Sequence, residues 1–259
     1  MAENKIYIGT SGYYYPHWEK GVFYPLHLSK ARQLEYYAHF FNTVELNVTF
    51  YRLPQEKTFV GWYKRTPDDF VFAVKGSRYI THIKRLKEVK EGLKNFFSRV
   101  RHLKEKMGVV LWQLPPNFKR DISRLKSFIE VLSLCASYRQ AFEFRHQSWF
   151  CDEVFEMVSK SRASICIADW PGLDVHIPLD FPFIYLRRHG PIGEGLYSGC
   201  YTEAEIKKDA QLILEQYHQG KDVFVYFNND ALGYAVKNAL ELKTLLVRGL
   251  TANKCKVLS

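Results

Sequence analysis

Short runs of β-branched and aromatic residues alternate along this chain with longer stretches whose apolar positions recur at helical spacing. Eight runs read as strands: Lys5–Gly9, Thr43–Asn47, Phe70–Lys75, Gly108–Gln113, Arg139–Arg145, Ala163–Asp169, Phe183–His189 and Asp222–Asn228. Each is short and almost continuously apolar, as a strand covered on both faces must be. Between them the spacing predicts helices. Ser29 stands as an N-cap before a stripe of Leu34, Tyr37, Ala38 and Phe41. The stretch Glu88–Lys106 repeats Val89, Leu93, Phe96, Phe97, Val100 and Leu103, and Asp121 or Ser123 opens a helix carrying Leu125, Phe128, Ile129 and Leu132. Thr202 with Glu205 forms a capping box before Ile206, Ala210, Ile213 and Leu214, and a last pattern runs through Ala235, Ala239, Leu242 and Leu246.

Strands alternating with helices from one end to the other predict an α/β fold: a single (β/α)8 barrel of the triosephosphate-isomerase type, with eight parallel strands. A doubly wound open sheet is the competing arrangement. The step from Asp169 to Phe183 holds prolines and no helical pattern, so the connection after the sixth strand is expected to be irregular. Residues 1–259 read as one domain, with no repeat, low-complexity tract or linker to divide them.

Alternation along a strand assigns sides. It turns Glu45 and Asn47, Lys75, Gln113, Glu143 and Arg145, Tyr185, Arg187 and His189, and Tyr226, Asn228 and Asp230 into the barrel, along with Tyr7, Gly9 and Ser11. The polar members fall at the last strand positions, whereas Ala73, Val109 and Ala141 line the first halves. Ionisable groups converging at one end are costly to bury unpaired, and that end is where barrels of this type carry their chemistry. Asp169 sits at the tip of the sixth strand. Aromatic loops flank the same end, Tyr13 and Trp149 among them, as a ligand surface or a packed lid does. Interlayer salt bridges closing the barrel top are the competing reading.

Composition adds bias rather than identity. The formal charge of +10, from 37 Lys and Arg against 27 Asp and Glu, favours anionic partners. Its concentrations at Lys84–Lys90, Lys94–Lys106 and Lys119–Lys126 fall mostly on helices, where a solvated outer face explains them. Five cysteines without CxxC spacing read as reduced structural thiols. The N-terminus lacks a signal-peptide pattern, and no apolar run reaches the roughly 18–20 residues that span a bilayer. A cytoplasmic protein without a membrane partner is the expectation.

The segments GTSGYYYPHW, FNTVELNVTFYRLP, FAVKGSRYITHIKRL, LWQLPPNF, EFRHQSW, ADWP, YLRRHG and YFNNDALGYAVKNA occur in this order over nearly the whole chain. They resemble the successive signatures of the YecE-like family, also called domain of unknown function 72. The resemblance implies a triosephosphate-isomerase-type barrel and brings no activity, cofactor or substrate. Tyr13 and Tyr14 stand where the family often has Trp and Ser, a change at a pocket edge.

The residues allow several chemistries. An enzyme for a small phosphorylated or carboxylated substrate, a hydrolase or lyase, would bind the anion through Lys75, Arg145 and Arg187. Glu45, Glu143, Asp169 and His189 are then the candidate catalytic groups, while Tyr13, Asn47, Gln113, Trp149, Asn228 and Asp230 contact the substrate. A metal-dependent phosphodiester hydrolase would use Glu45, Glu143, Asp169, His189 and Asp230, although no HxH or HExxH spacing exists and the inward cations oppose a metal. A glycosidase would pair Glu45 with Glu143. A non-catalytic nucleic-acid or nucleotide binder would use the basic surface and the loop aromatics. No cofactor motif is present, no resident metal is expected, and the glycine-rich segment following His189 fits no specific phosphate loop.

Overall fold

The computed structural model describes residues 4–134, 138–191 and 193–257, with side chains described through Thr251. Eight strands form one parallel sheet in the order β1-β8-β7-β6-β5-β4-β3-β2. They are β1 (Ile6–Thr10), β2 (Thr43–Leu46), β3 (Val71–Lys75), β4 (Met107–Gln113), β5 (Arg139–Glu143), β6 (Ser164–Ala168), β7 (Phe183–Arg188) and β8 (Asp222–Phe227). Outside them lie α1 (Gln33–Phe40), α2 (Val48–Tyr51), α3 (Glu56–Lys64), α4 (Lys90–Val100), α5 (Ile122–Ser133), α6 (Asp152–Lys160), α7 (Glu203–His218) and α8 (Tyr234–Val257). This is a (β/α)8 barrel, and residues 169–182 join β6 to β7 without a helix, as the prolines there require. Asp121 caps α5 by accepting from Arg124 N at 3.0 Å, and the Thr202–Glu205 box closes on both sides. Among the described residues no helix is long and apolar enough to cross a membrane.

The core is divided by the sheet. One compartment holds the outward faces of the strands against the helices: Val44 and Leu46, Phe142 and Phe144, Val223, Val225 and Phe227. The other fills the barrel interior with Tyr7, Ala73, Val109, Leu111, Ala141, Cys166, Phe183, Tyr185, Phe224 and Tyr226. The alternation of the strands is visible in this partition. Cys151, Cys166 and Cys200 are free thiols, and the side chains of Cys135 and Cys255 lie outside what is described.

The ring closes between β1 and β2 through an isolated bridge, Ser11 to Glu45, rather than a full ladder. Side chains supply what the ladder lacks. The Asn42 amide donates to Ile6 O at 3.0 Å while its oxygen accepts from Ile8 N at 3.3 Å. The Tyr37 hydroxyl accepts from Thr10 N at 2.9 Å and donates to Thr43 O at 3.1 Å. Gly9 permits the approach, because a Cβ there would lie 2.3 Å from Thr43 O.

The seam therefore depends on the Tyr37 hydroxyl. Tyr37→Phe should lower the unfolding free energy by about 1–3 kcal/mol, the cost of leaving a buried N–H without an acceptor. An unaltered urea midpoint would show that β1 and β2 close without it.

Candidate functional site

Arg187, near the end of β7, stands at the centre of the upper interior with no exposed surface. Its Nε and Nη2 grip Glu45, at 3.0 Å to Oε2 and 2.8 Å to Oε1, and its Nη1 donates to Glu143 Oε2 at 2.6 Å. One guanidinium thus ties β2 and β5 to β7. Glu45 also accepts from Ser11 Oγ at 2.8 Å and from the Tyr185 hydroxyl at 2.7 Å. Glu143 Oε1 accepts from Arg145 Nε at 2.5 Å and faces His189 Nε2 at 3.5 Å. Every carboxylate oxygen of the pair is engaged, which makes the burial tolerable.

The electrostatics follow from this geometry. Burial works against ionisation of Glu143, but Arg145 and Arg187 overcome it and hold the carboxyl well below the usual range. Glu45 is likewise lowered, burial being outweighed by Arg187, Lys75 and the Tyr185 hydroxyl. His189, buried beside Arg187, is pushed down and stays neutral. Its Nδ1 lies 3.1 Å from the Asn228 amide, and its Nε2 faces both Arg187 Nη1 at 3.4 Å and Glu143 Oε1 at 3.5 Å.

Above this floor lie groups with capacity to spare. Lys75 ends β3, is 9% exposed, and holds its Nζ 4.4 Å over the Phe50 ring. Burial, then the positive charges of Arg187 and Arg145, lower its amine to about 7. Arg145 lays its guanidinium 3.5 Å from the centre of the Trp170 ring, and its Nη2 is buried without an acceptor. His82 packs edge-on against Phe50 at 4.8 Å, and burial with Lys75 lowers it to about 4. The Gln113 amide donates to Leu114 O at 2.8 Å and lies 3.5 Å from His82 Nε2. Trp170 and Tyr197 roof His189, with ring centres 5.4 and 5.6 Å from it.

The structure brings together Glu45, Lys75, Gln113, Glu143, Arg145, Arg187, His189 and Asn228. Five expected site residues stand apart from that set. Asp169 accepts from His189 N at 2.6 Å and from the Tyr201 hydroxyl, anchoring the loop after β7. Asp230 is past the end of β8, where its carboxylate takes Trp18 Nε1 and His17 Nε2, each at 2.7 Å; burial lifts it to about 6 against the pull of both. Trp149 is fully buried, stacked on Phe144 at 4.9 Å and bonded to Phe118 O. The Tyr13 hydroxyl accepts from Trp62 Nε1 at 2.9 Å, on the helix side of the sheet. Asn47 has left the strand to begin α2, with its Oδ1 buried and unpartnered. Asn47 and Asp230 lie past the ends of β2 and β8, one at the start of α2 and one turned toward Trp18, whereas Arg145, His189 and Asn228, also past their strand ends, stay at the mouth. Phe50 of α2 and the loop residues Trp170, Tyr197 and Tyr201 take parts that strand alternation does not assign.

Arg187 also departs from its expected role: three of its donors go to the two carboxylates, the others face Ser11 Oγ and His189 Nε2 at 3.4 Å, and nothing is left for a ligand. Among the described residues no three His, Cys, Asp or Glu side chains are placed to hold a metal ion. Arginines stand between the carboxylates, and Asp169 and Asp230 are engaged elsewhere. A glycosidase acid needs a raised carboxyl, and both here are lowered. A cleft of about 540 Å³ opens among Ile129, Leu132, Phe142 and Ala163. It lies at the N-terminal end of the barrel, where this fold keeps stability rather than chemistry, so the charged cluster outweighs it as the candidate site.

The profile of the family described as "Protein of unknown function DUF72" matches residues 7–256. The UPF0759 protein YunF of Bacillus subtilis is 27% identical over 275 residues, covering 93% of this chain and 94% of that protein. A solved DUF72 family protein of Thermotoga maritima superposes with a TM-score of 0.81 at 34% identity, covering 94% of this chain and 99% of that one. A second, from Enterococcus faecalis, superposes at 0.79 with 20% identity, covering 93% and 95%, a likeness of fold.

Removing the central cation should unfold the site. Arg187→Met leaves two buried carboxylates unpaired and should cost about 3–5 kcal/mol in a denaturant melt; a loss below 1 kcal/mol would mean that the ladder is solvated. Lys75 gives a pH signature. Between about 7 and the ordinary lysine value the unfolded chain holds a proton that the folded chain lacks, so this group makes stability rise with pH in that window, and the gain is lost as pH falls through about 7. Lys75→Met should therefore stabilise the protein most at neutral pH and below, the advantage shrinking toward the ordinary lysine value. A difference between variant and parent that does not change with pH would contradict the depressed amine.

Proposed function

This chain belongs to the DUF72 family, and we propose that it is a cytoplasmic enzyme acting on a small anionic substrate, phosphorylated or carboxylated, at the C-terminal mouth of its barrel. The observation that carries this reading is the surplus of positive charge at the mouth. Arg187, Arg145 and protonated Lys75 face Glu45 and Glu143, three cations against two carboxylates. The excess resides on Lys75 and on Arg145, whose Nη2 has no protein acceptor. An incoming oxyanion supplies that acceptor. Arg145 is fixed for the task by Glu143 on one edge and Trp170 on its face, so little side-chain freedom is lost on binding.

The surroundings favour a ligand as well. Among the described residues, ten of the twelve large apolar side chains left exposed lie in the segments that follow the strands at the C-terminal end, including Tyr51, Tyr79, Ile83, Tyr197 and Leu232. An apolar rim around a charged floor is the arrangement of a binding site. With both carboxylates held ionised and both histidines held neutral, Lys75 is the group of this mouth that titrates near physiological pH.

Binding of nucleic acid is a second reading, favoured by one asymmetry. The loops that follow β2 to β5 carry eight Lys and Arg against two acidic residues, and those that follow β6 to β8 carry five acidic residues and no Lys or Arg. Exposed Tyr51 and Tyr79 stand on the basic side.

Titration with inorganic phosphate, followed by calorimetry, tests the main reading. Arg145→Met should weaken phosphate binding about tenfold or more, as loss of a charge-assisted hydrogen bond implies. Equal affinity in parent and variant overturns it. A single-stranded oligonucleotide that binds equally well to both proteins, and releases steeply with salt, identifies the second reading.

A further inference from the structure

Among the described residues the other buried lysine, Lys106, is bonded: its Nζ donates to Tyr63 O and Thr66 O, each at 2.8 Å, and to Thr66 Oγ1 at 3.4 Å. Lys221, half-buried, reaches Leu179 O and Gln216 Oε1. Lys75 is the exception. Among the described residues its Nζ has no hydrogen-bond or ion-pair partner, although it is more than nine-tenths buried. The neighbouring carboxylates do not serve it: Glu45 and Glu143 pair with Arg187, Arg145 and His189, and neither lies within ion-pair distance of Lys75 Nζ. Its stem is buried, but Nζ is not among the sealed unpartnered atoms, so the ammonium opens on the mouth with no protein acceptor to hold it.

Resting on the anionic-substrate reading, we infer that Lys75 Nζ is a nucleophile that forms an imine with the carbonyl carbon of a small oxo acid or phosphorylated aldehyde or ketone. The geometry supplies each requirement. Nζ ends a barrel strand at the catalytic face, and Phe50 covers one side of it and keeps water from that approach. Arg145 Nη2 offers a donor for the carboxylate or phosphate of the same molecule. His82 shares Phe50 with Lys75 and is fixed by a hydrogen bond between its Nδ1 and Thr81 Oγ1 at 2.9 Å, a neutral imidazole that adds no second positive charge beside the amine. The depressed amine adds that a usable fraction of Lys75 is unprotonated at neutral pH.

The step balances without a redox partner. The amine lone pair forms the C–N bond as the carbonyl π pair moves to oxygen, which takes up a proton and gives a carbinolamine. Nitrogen then loses a proton, its lone pair forms the C=N bond, and the hydroxyl leaves as water after accepting a proton. Protonated, the product is an iminium that draws electrons from the adjacent C–H or C–C bond, the basis of a lyase reaction.

Borohydride reduction tests this directly, with pyruvate as the oxo-acid probe and dihydroxyacetone phosphate as the phosphorylated one. Intact mass should show one reduced adduct per chain with at least one probe, and peptide mapping should place it on Lys75. Labelling there should exceed that of a surface lysine by about tenfold or more, since an ordinary amine is neutral in less than about one part in a thousand at pH 7. Its rate should rise as pH passes through about 7. Lys75→Arg and Lys75→Met should both abolish the adduct, and mapping of the parent protein decides the matter even if a variant fails to fold. Adducts scattered over exposed lysines, or no adduct from either probe, overturn the inference. Phosphate binding that still depends on Arg145 would then leave the anion site standing without the imine, whereas loss of that dependence removes both.

Discussion

Arg187 and its two carboxylates are the interaction on which the upper half of this barrel depends. A guanidinium with no solvent exposure demands acceptors in its plane, and Glu45 and Glu143 supply them from β2 and β5. Those strands are three and two removed from β7 in the ring, yet the distances of 2.6 to 3.0 Å leave no room for either to slip along its axis. A one-residue register shift would reverse every side chain of the strand and place Val44 or Phe142 where a carboxylate is needed. Desolvating three charges costs more than an apolar plug of the same volume. What the ladder secures is orientation: Arg145 and His189 take their positions from Glu143, and Ser11 and Tyr185 take theirs from Glu45.

The seam of the barrel and the site are the same piece of construction. Between β1 and β2 the backbone ladder dwindles to the Ser11–Glu45 bridge, and the Ser11 hydroxyl bonds the carboxylate that Arg187 holds. Lower down, Tyr37 and Asn42 bond the β1 edge, and the Tyr226 hydroxyl meets Thr43 Oγ1 at 2.7 Å. Closure is thus assigned to side chains of defined reach, and the polar network that shapes the mouth also completes the ring.

Much of this could be read from residue order, and the failures have a common cause. The eight strands emerged within two residues of their ends because a parallel strand covered on both faces leaves an apolar run. The partition into helix layer and interior followed from alternation, which placed Glu45, Lys75, Glu143 and Arg187 together although nearly 150 positions separate the first and last. Alternation is a property of extended backbone and carries no information beyond it. Asn47 turns into α2, Asp230 lies in a loop against Trp18, and Tyr13 and Trp149 join the helix layer by packing that only the tertiary structure decides. Nor could spacing tell a charge that is spent from one that is available. Arg187 and Arg145 look alike in sequence, yet one is saturated and the other retains a donor.

That difference gives the mouth a two-tier organisation. The lower tier is satisfied in its hydrogen bonds: Glu45, Glu143, Arg187 and the neutral His189 engage one another and their neighbours, and the one negative charge left over is met by Arg145. The upper tier does the reverse, because Lys75 and Arg145 Nη2 have donors without acceptors, one against Phe50 and the other against Trp170. Were both tiers saturated, the cluster would be a structural plug of the kind that closes a barrel. Were both unsaturated, the burial would be too costly to sustain. A satisfied floor beneath an unsatisfied rim concentrates the demand at the surface a ligand reaches first, and the stability invested in the floor keeps those donors fixed while they wait.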